Sequence, residues 1–149
     1  MRRIISTDSY RLKFSAERVF NAVSDVSVYK DWWSRKVKIK VLNMTEELAG
    51  SRVEIRASGG WFRCEIVSVM RNSEVRVKYY EGVQTGEGIW NLEKAGDGET
   101  ILTYSINLEP NGIIPGVLSN FINFSRIHSN AMKEMFAGLE KYLQSGKQL

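Results

Sequence analysis

"RVEIRASGGWFRCEIVSVMRNSEVRVKYY", residues Arg52–Tyr80, decides the fold class. Through "RVEIRA", "WFRCEIVSVM" and "EVRVKYY" apolar and polar residues alternate, and a period of two belongs to strands buried on one face. The breaks, "SGG" and "RNS", are short and made of turn residues, so neighbouring strands pair antiparallel. Charge then selects the register. A four-residue "ASGG" loop sets Glu54 opposite Arg63 and Arg52 opposite Glu65, and avoids facing Arg56 with Arg63. A two-residue Asn72–Ser73 hairpin sets Ser68 opposite Val77 and Ile66 opposite Tyr79. One face then carries Cys64, Ile66, Met70, Val75, Val77 and Tyr79; the other carries Arg63, Glu65, Arg76 and Lys78.

The alternation extends outward in both directions. Upstream lies "VKIKV" from Val37; downstream lie "GIWNLEK" (Gly88–Lys94) and "ILTYSINL" (Ile101–Leu108). The connections "ELAG", "EGVQTGEG" and "AGDGE" are rich in turn residues, and a "GDG" turn places Leu92 by Leu102 and Trp90 by Tyr104. Six consecutive strands with tight turns form a meander. Before it, "YRLKF" (Tyr10, Leu12, Phe14) reads as a half-buried strand. Ser15 reads as an N-cap with Glu17 in the first turn, Val19, Phe20 and Val23 form a helical apolar face, and Asp25 caps a short helix in "VSVYKDWW". After it, Gly116–Gln144 reads as one long helix. Helices segregated onto an antiparallel sheet make an α+β fold.

Composition fits one domain spanning residues 1–149. A chain of this size hides roughly 70% of its unfolded surface. A formal net charge of +4 is only mildly basic, and no dense Lys/Arg block suggests nucleic acid as a partner. "MRRII" is followed by "STDSYRLK" rather than an apolar segment, so no signal peptide is read, nor any membrane span. One cysteine, Cys64, excludes an internal disulfide and a thiolate metal cluster, which fits a reducing cytoplasm.

The long helix carries a stripe of Leu118, Phe121/Ile122, Ser125, His128/Ser129, Met132, Met135/Phe136, Leu139 and Leu143. Its C-terminal half is large and apolar; its middle is small and polar. Two readings stand for Ser125, His128 and Ser129: a close helix–sheet approach, or a cavity facing Tyr79, Trp90 and Tyr104, which bring polar handles to an aromatic wall.

"FSAERVFNAVSDVSVYKDWW" (Phe14–Trp33), the meander, the "GIWNLEK…ILTYSINLEP" strand pair and the long last helix together resemble the START-like, helix-grip superfamily. This is also called the SRPBCC group, with its polyketide cyclase-like, coenzyme Q-binding and Bet v 1-type proteins. "NGIIPGVLSN" (Asn111–Asn120) is similar to the glycine, Ile-Pro and Asn pattern that enters the last helix of START domains. The resemblance covers nearly the whole chain. It implies a curved sheet of about seven strands wrapped around the C-terminal helix, two short helices after the first strand, and an apolar pocket between sheet and helix. It also implies a lid formed by the loop before the last helix.

Motifs for chemistry are sparse. His128 is the sole histidine, so a multi-histidine metal site is excluded, and no P-loop, dinucleotide fingerprint or nucleophile elbow is present. No metal and no cofactor is expected. Cys64, beside Phe62 and Ile66, reads as a buried, inert thiol. Arg63 and Glu65 read as solvent-side ion pairs, and of Trp32 and Trp33 one closes the core while the other sits at a rim. His128 is either a helix-face histidine satisfied locally, or a contact to a ligand oxygen and the weak candidate for a general base.

The leading expectation is binding, with or without transport, of a hydrophobic small molecule or lipid. Phe62, Tyr79, Trp90, Tyr104, Phe121, Ser125, His128 and Ser129 would line the site. Ile113 and Ile114, between Pro110 and Pro115, read as an apolar lid, a tip for transient membrane contact, or a staple onto Leu118. A polyketide cyclase/dehydrase-like enzyme acting on an apolar or aromatic substrate is the alternative. A protein-interaction module using the outer sheet or Arg35–Lys40 is the third reading.

Overall fold

The computed structural model describes residues 3–111 and 124–146. Its elements run β1 (Ile4–Leu12), α1 (Ala16–Ser24), a 3-10 turn (Val26–Val28), α2 (Tyr29–Trp32), β2 (Lys38–Asn43), β3 (Arg52–Ala57), β4 (Gly60–Met70), β5 (Glu74–Gly82), β6 (Gln84–Gly96), β7 (Glu99–Pro110) and α3 (Phe124–Gln144). The strands form one curved antiparallel sheet in the order β1-β7-β6-β5-β4-β3-β2. β1 therefore joins the far end of the meander, beside β7, and the fold is the α+β helix grip.

All six meander strands are present, and the charge-selected register holds. Arg52 faces Glu65 and Glu54 faces Arg63. Leu92 faces Leu102 and Trp90 faces Tyr104. Pairing continues further into the turns than expected, to Ala57–Gly60 and Gly96–Glu99, because two-residue turns close both hairpins. The "EGVQTGEG" connection is mostly strand as well: β5 ends at Gly82 and β6 begins at Gln84.

The β4–β5 register differs from expectation. Met70 pairs with Glu74, so Arg71, Asn72 and Ser73 form a three-residue loop, with Asn72 at φ 61° and Ser73 N–H donating to Met70 O. Ile66 pairs with Val77 and Cys64 with Tyr79, and the register shifts between Ile66 and Ser68. An extra residue in one strand reverses the in–out phase beyond it. Val67 and Met70 are consequently exposed, Met70 by 60%, while Val69 packs on the core. Cys64, Ile66, Val75, Val77 and Tyr79 are buried as expected; Met70 is not.

β1 begins at Ile4, six residues before the expected Tyr10, and pairs with β7 along its whole length, from Ile4–Leu108 to Leu12–Thr100. Its inner face reads Ile4, Ser6, Asp8, Tyr10, Leu12. Two polar residues in that row break the apolar alternation by which a strand is recognised. On the neighbouring strand, Pro110 still faces Gln84 and is the last residue of β7, as expected of a residue without a ladder donor.

The described helices pack on the inner face of the sheet. Ser15 caps α1, its Oγ accepting from Arg18 N–H at 3.3 Å, and Val19, Phe20 and Val23 are buried. Asp25 caps the 3-10 turn through Ser27 N–H at 2.9 Å. In α3 the side chains of Met132, Phe136, Leu139, Tyr142 and Leu143 are buried, and Phe136 stacks on Tyr10 of β1 at 5.5 Å. The Arg18 guanidinium donates to Leu143 O at 2.6 Å, tying the C-terminal carbonyls of α3 to α1. At Gly138 any Cβ would collide with Trp32 O, so α3 lies against α2 where it has no side chain. The outer face carries ion pairs: Arg63 with Glu54 (3.0 Å) and Glu81 (2.8 Å), and Arg52 with Glu65 (2.6 Å). Glu54 is only 6% exposed, and hydrogen bonds from Arg56 and then Arg63 hold its carboxyl below the usual range.

Candidate functional site

The inner face of the sheet concentrates aromatic rings beneath the N-terminal half of α3. Asp8, Tyr104, Trp90 and Val75 form a row across β1, β7, β6 and β5, each facing the next. Trp90 stacks on Tyr104 at 4.0 Å, and Phe62 stacks on Tyr79 at 5.4 Å. The two tyrosines meet at their hydroxyls, 2.6 Å apart. Gly88 makes this possible: a Cβ there would collide with the Tyr104 hydroxyl. Trp32 packs edge-on against Trp90, and Tyr29 stacks on Trp33 at 5.0 Å, extending the aromatic wall into α2.

α3 brings His128 over this wall, its ring 6.1 Å from that of Tyr104. One position on, Ser129 Oγ lies 2.9 Å from Ser6 Oγ, and Ser6 donates to Asp8 Oδ2 at 2.9 Å. Ser6 has one hydroxyl proton, so Ser129 is the donor to Ser6. Here the helix and β1 approach closely, as one reading of the small residues required. Ser125 is half-buried one turn earlier. Phe121, Ile113 and Ile114 lie outside the described residues, as does the helical stretch expected from Gly116 to Asn123.

The site resists charge. Burial pushes the Tyr79 hydroxyl and the Cys64 thiol far up, and Tyr104 and Tyr29 likewise stay protonated. Cys64 is thus the inert thiol expected, with no thiolate to act as nucleophile. Burial also lowers the His128 pKa, opposed in part by the Asp8 carboxylate, so its imidazole is neutral at pH 7. Two buried polar atoms, Nε2 of His128 and Nε1 of Trp33, have no hydrogen-bond partner among the described residues. The tyrosine pair uses one of its two hydroxyl protons internally and makes no other side-chain hydrogen bond among the described residues. Unused donors and acceptors beside an apolar wall are what an oxygen-bearing apolar molecule would engage.

Trp32 is the buried member of its pair, donating to Ala22 O, while Trp33 is half-buried, as expected of one core and one rim residue. Lys36, Lys38 and Lys40 are exposed. A shallow recess of about 200 Å³ on the outer face runs between Val67, Arg76, Lys78, Glu87 and Ile89. No group of residues that could hold a metal is found among the described residues. No described helix is long and apolar enough to cross a membrane. Sequence reading did not find Ser6 and Asp8, because it began the first strand after them.

The profile of the family described as "Polyketide cyclase / dehydrase and lipid transport" matches residues 3–144. The chain belongs to this family. Solved structures agree on the fold. A START superfamily protein from Mycobacterium smegmatis is 17% identical, with 95% of this chain and 97% of that one covered and a TM-score of 0.75. A protein from Thermus thermophilus is 18% identical over 96% and 99% of the two chains, also at 0.75. Norcoclaurine synthase from Thalictrum flavum, solved in complex with dopamine and hydroxybenzaldehyde, is 10% identical over 98% and 89%, at 0.68. No curated protein matches the sequence. Membership of the polyketide cyclase/dehydrase and lipid transport family supports hydrophobic-ligand or cyclase-like function in general terms.

Proposed function

We propose that this protein binds a hydrophobic small molecule or lipid between the inner face of β4–β7 and the N-terminal half of α3. The observation carrying this reading is the aromatic wall of Phe62, Tyr79, Trp90 and Tyr104, together with two buried atoms, His128 Nε2 and Trp33 Nε1, that have no hydrogen-bond partner among the described residues. Apolar burial would supply affinity, at roughly 25 cal/mol per Å² removed from water, and the few polar atoms would orient the ligand. Ser125 and Ser129 border the site from α3. Membership of a family that includes lipid transport supports the same reading. Native mass spectrometry and organic extraction of the purified protein should reveal a bound apolar molecule. A protein that emerges empty and gives no saturable signal with an environment-sensitive apolar dye would overturn the proposal.

A cyclase/dehydrase-like enzyme is the second reading, favoured by one observation: the His128 ring lies 6.1 Å from that of Tyr104, its Nε2 is buried without a partner among the described residues, and burial lowers its pKa. A neutral imidazole is competent as a general base. His128→Ala should then abolish turnover of a cyclisable aromatic substrate while leaving its binding largely intact.

A further inference from the structure

We propose that the ligand of this site is electrically neutral and carries a hydroxyl or carbonyl oxygen, and that Asp8 of β1 selects against carboxylate-headed lipids. The inference rests on the ligand-binding reading above and narrows it to a chemical class.

Oxygen is implied by the unused groups. Among the described residues, Trp33 Nε1–H is a donor without an acceptor, the tyrosine pair has a hydroxyl proton to give, and His128 Nε2 is buried without a partner. A purely hydrocarbon ligand would leave all of them unsatisfied, at about 1–3 kcal/mol each. Donors alone would also welcome a carboxylate, so the sign of the charge decides.

The cationic side chains of β4 and β5 lie on the outer face, away from the aromatic wall. Arg63 is committed to Glu54 and Glu81 on the outer face; Arg76 pairs there with Glu74, and Lys78 is exposed on that face. A carboxyl group that does lie on the inner face is that of Asp8, paired across the strands with Tyr104 and close enough to His128 to raise the imidazole's pKa against the effect of burial. Ser6 holds the Asp8 side chain and is itself tied to α3 through Ser129. Burying an unpaired carboxylate costs several kcal/mol, more than the donors return, and a like charge nearby adds to that cost.

Three probes that share one ring system test this on the intact chain by titration calorimetry at pH 7.5: 2-methylnaphthalene, 2-naphthol and 2-naphthoate. The naphthol should bind about tenfold or more tightly than the naphthoate, and more tightly than the methyl compound. In Asp8→Asn, which keeps an acceptor for Ser6, the naphthol-to-naphthoate ratio should fall by about threefold or more. Differences in the probes' own hydrophobicity would leave that ratio unchanged between the two proteins. Naphthoate binding as tightly as naphthol overturns the neutral-ligand inference and leaves the ligand-binding reading standing. An unchanged ratio in Asp8→Asn, with an unfolding midpoint like that of the native chain, overturns the role of Asp8. If none of the three binds, the ligand-binding reading falls, and this inference with it.

Discussion

The Tyr79–Tyr104 hydroxyl pair is a buried polar contact in which each group depends on the other. Each phenol is buried and each is the other's side-chain partner, so either Tyr→Phe substitution strands the remaining hydroxyl. Each single change should cost about 1–3 kcal/mol in urea unfolding, while Y79F/Y104F together should cost clearly less than their sum, since removing both partners leaves nothing unsatisfied. Additive losses would show that the pair is not coupled. His128 provides a pH signature. Its pKa is lowered in the folded state, so below pH 6.5 the unfolded chain binds the proton first and stability falls with falling pH. Well above 6.5 neither state binds it and the effect vanishes. Urea midpoints measured from about pH 7.5 down to about 5.5 should therefore drop more steeply in the native chain than in His128→Gln. Parallel slopes would count against a buried neutral imidazole.

Among the elements, β4 shows how one extra residue redistributes a strand. Alternation alone put Met70 inside; the bulge at Val67 puts Val69 inside and Met70 out. Val69→Lys should therefore destabilise the fold by about 1–3 kcal/mol, and Met70→Lys should change stability by less than about 0.5 kcal/mol. Thermal unfolding of the two variants distinguishes this register from the unbulged one, which predicts the reverse order. α3 is limited by Gly138, where its backbone lies against Trp32 O. Gly138→Ala gains helix propensity of about 1 kcal/mol, yet the backbone collision forces α2 and α3 apart, so a net loss of stability is expected. A raised melting temperature would mean that the contact yields easily.

For the molecule as a whole, binding and folding are linked. A ligand that binds only the folded chain adds stability by mass action, about 2.7 kcal/mol at a hundredfold excess over Kd. Passage of the purified protein over a hydrophobic resin should lower its melting temperature, and re-addition of the extract should restore it. An unchanged melting temperature after complete delipidation would argue against a resident ligand. The sequence determined the α+β class, the six-strand meander and two of its registers, because period-two burial and opposite charges facing across strands are local codes that each hairpin carries for itself. It also carried the aromatic rings of the site, since Tyr79, Trp90 and Tyr104 fall on the in-phase side of that code. Ser6 and Asp8 were hidden, because a polar residue on an inner face reads as the absence of a strand until a helix arrives to satisfy it. Their position against Ser129 and His128, more than a hundred residues away, was decided only when the last helix docked on the first strand. Long-range contacts of that kind leave no periodic trace in the chain.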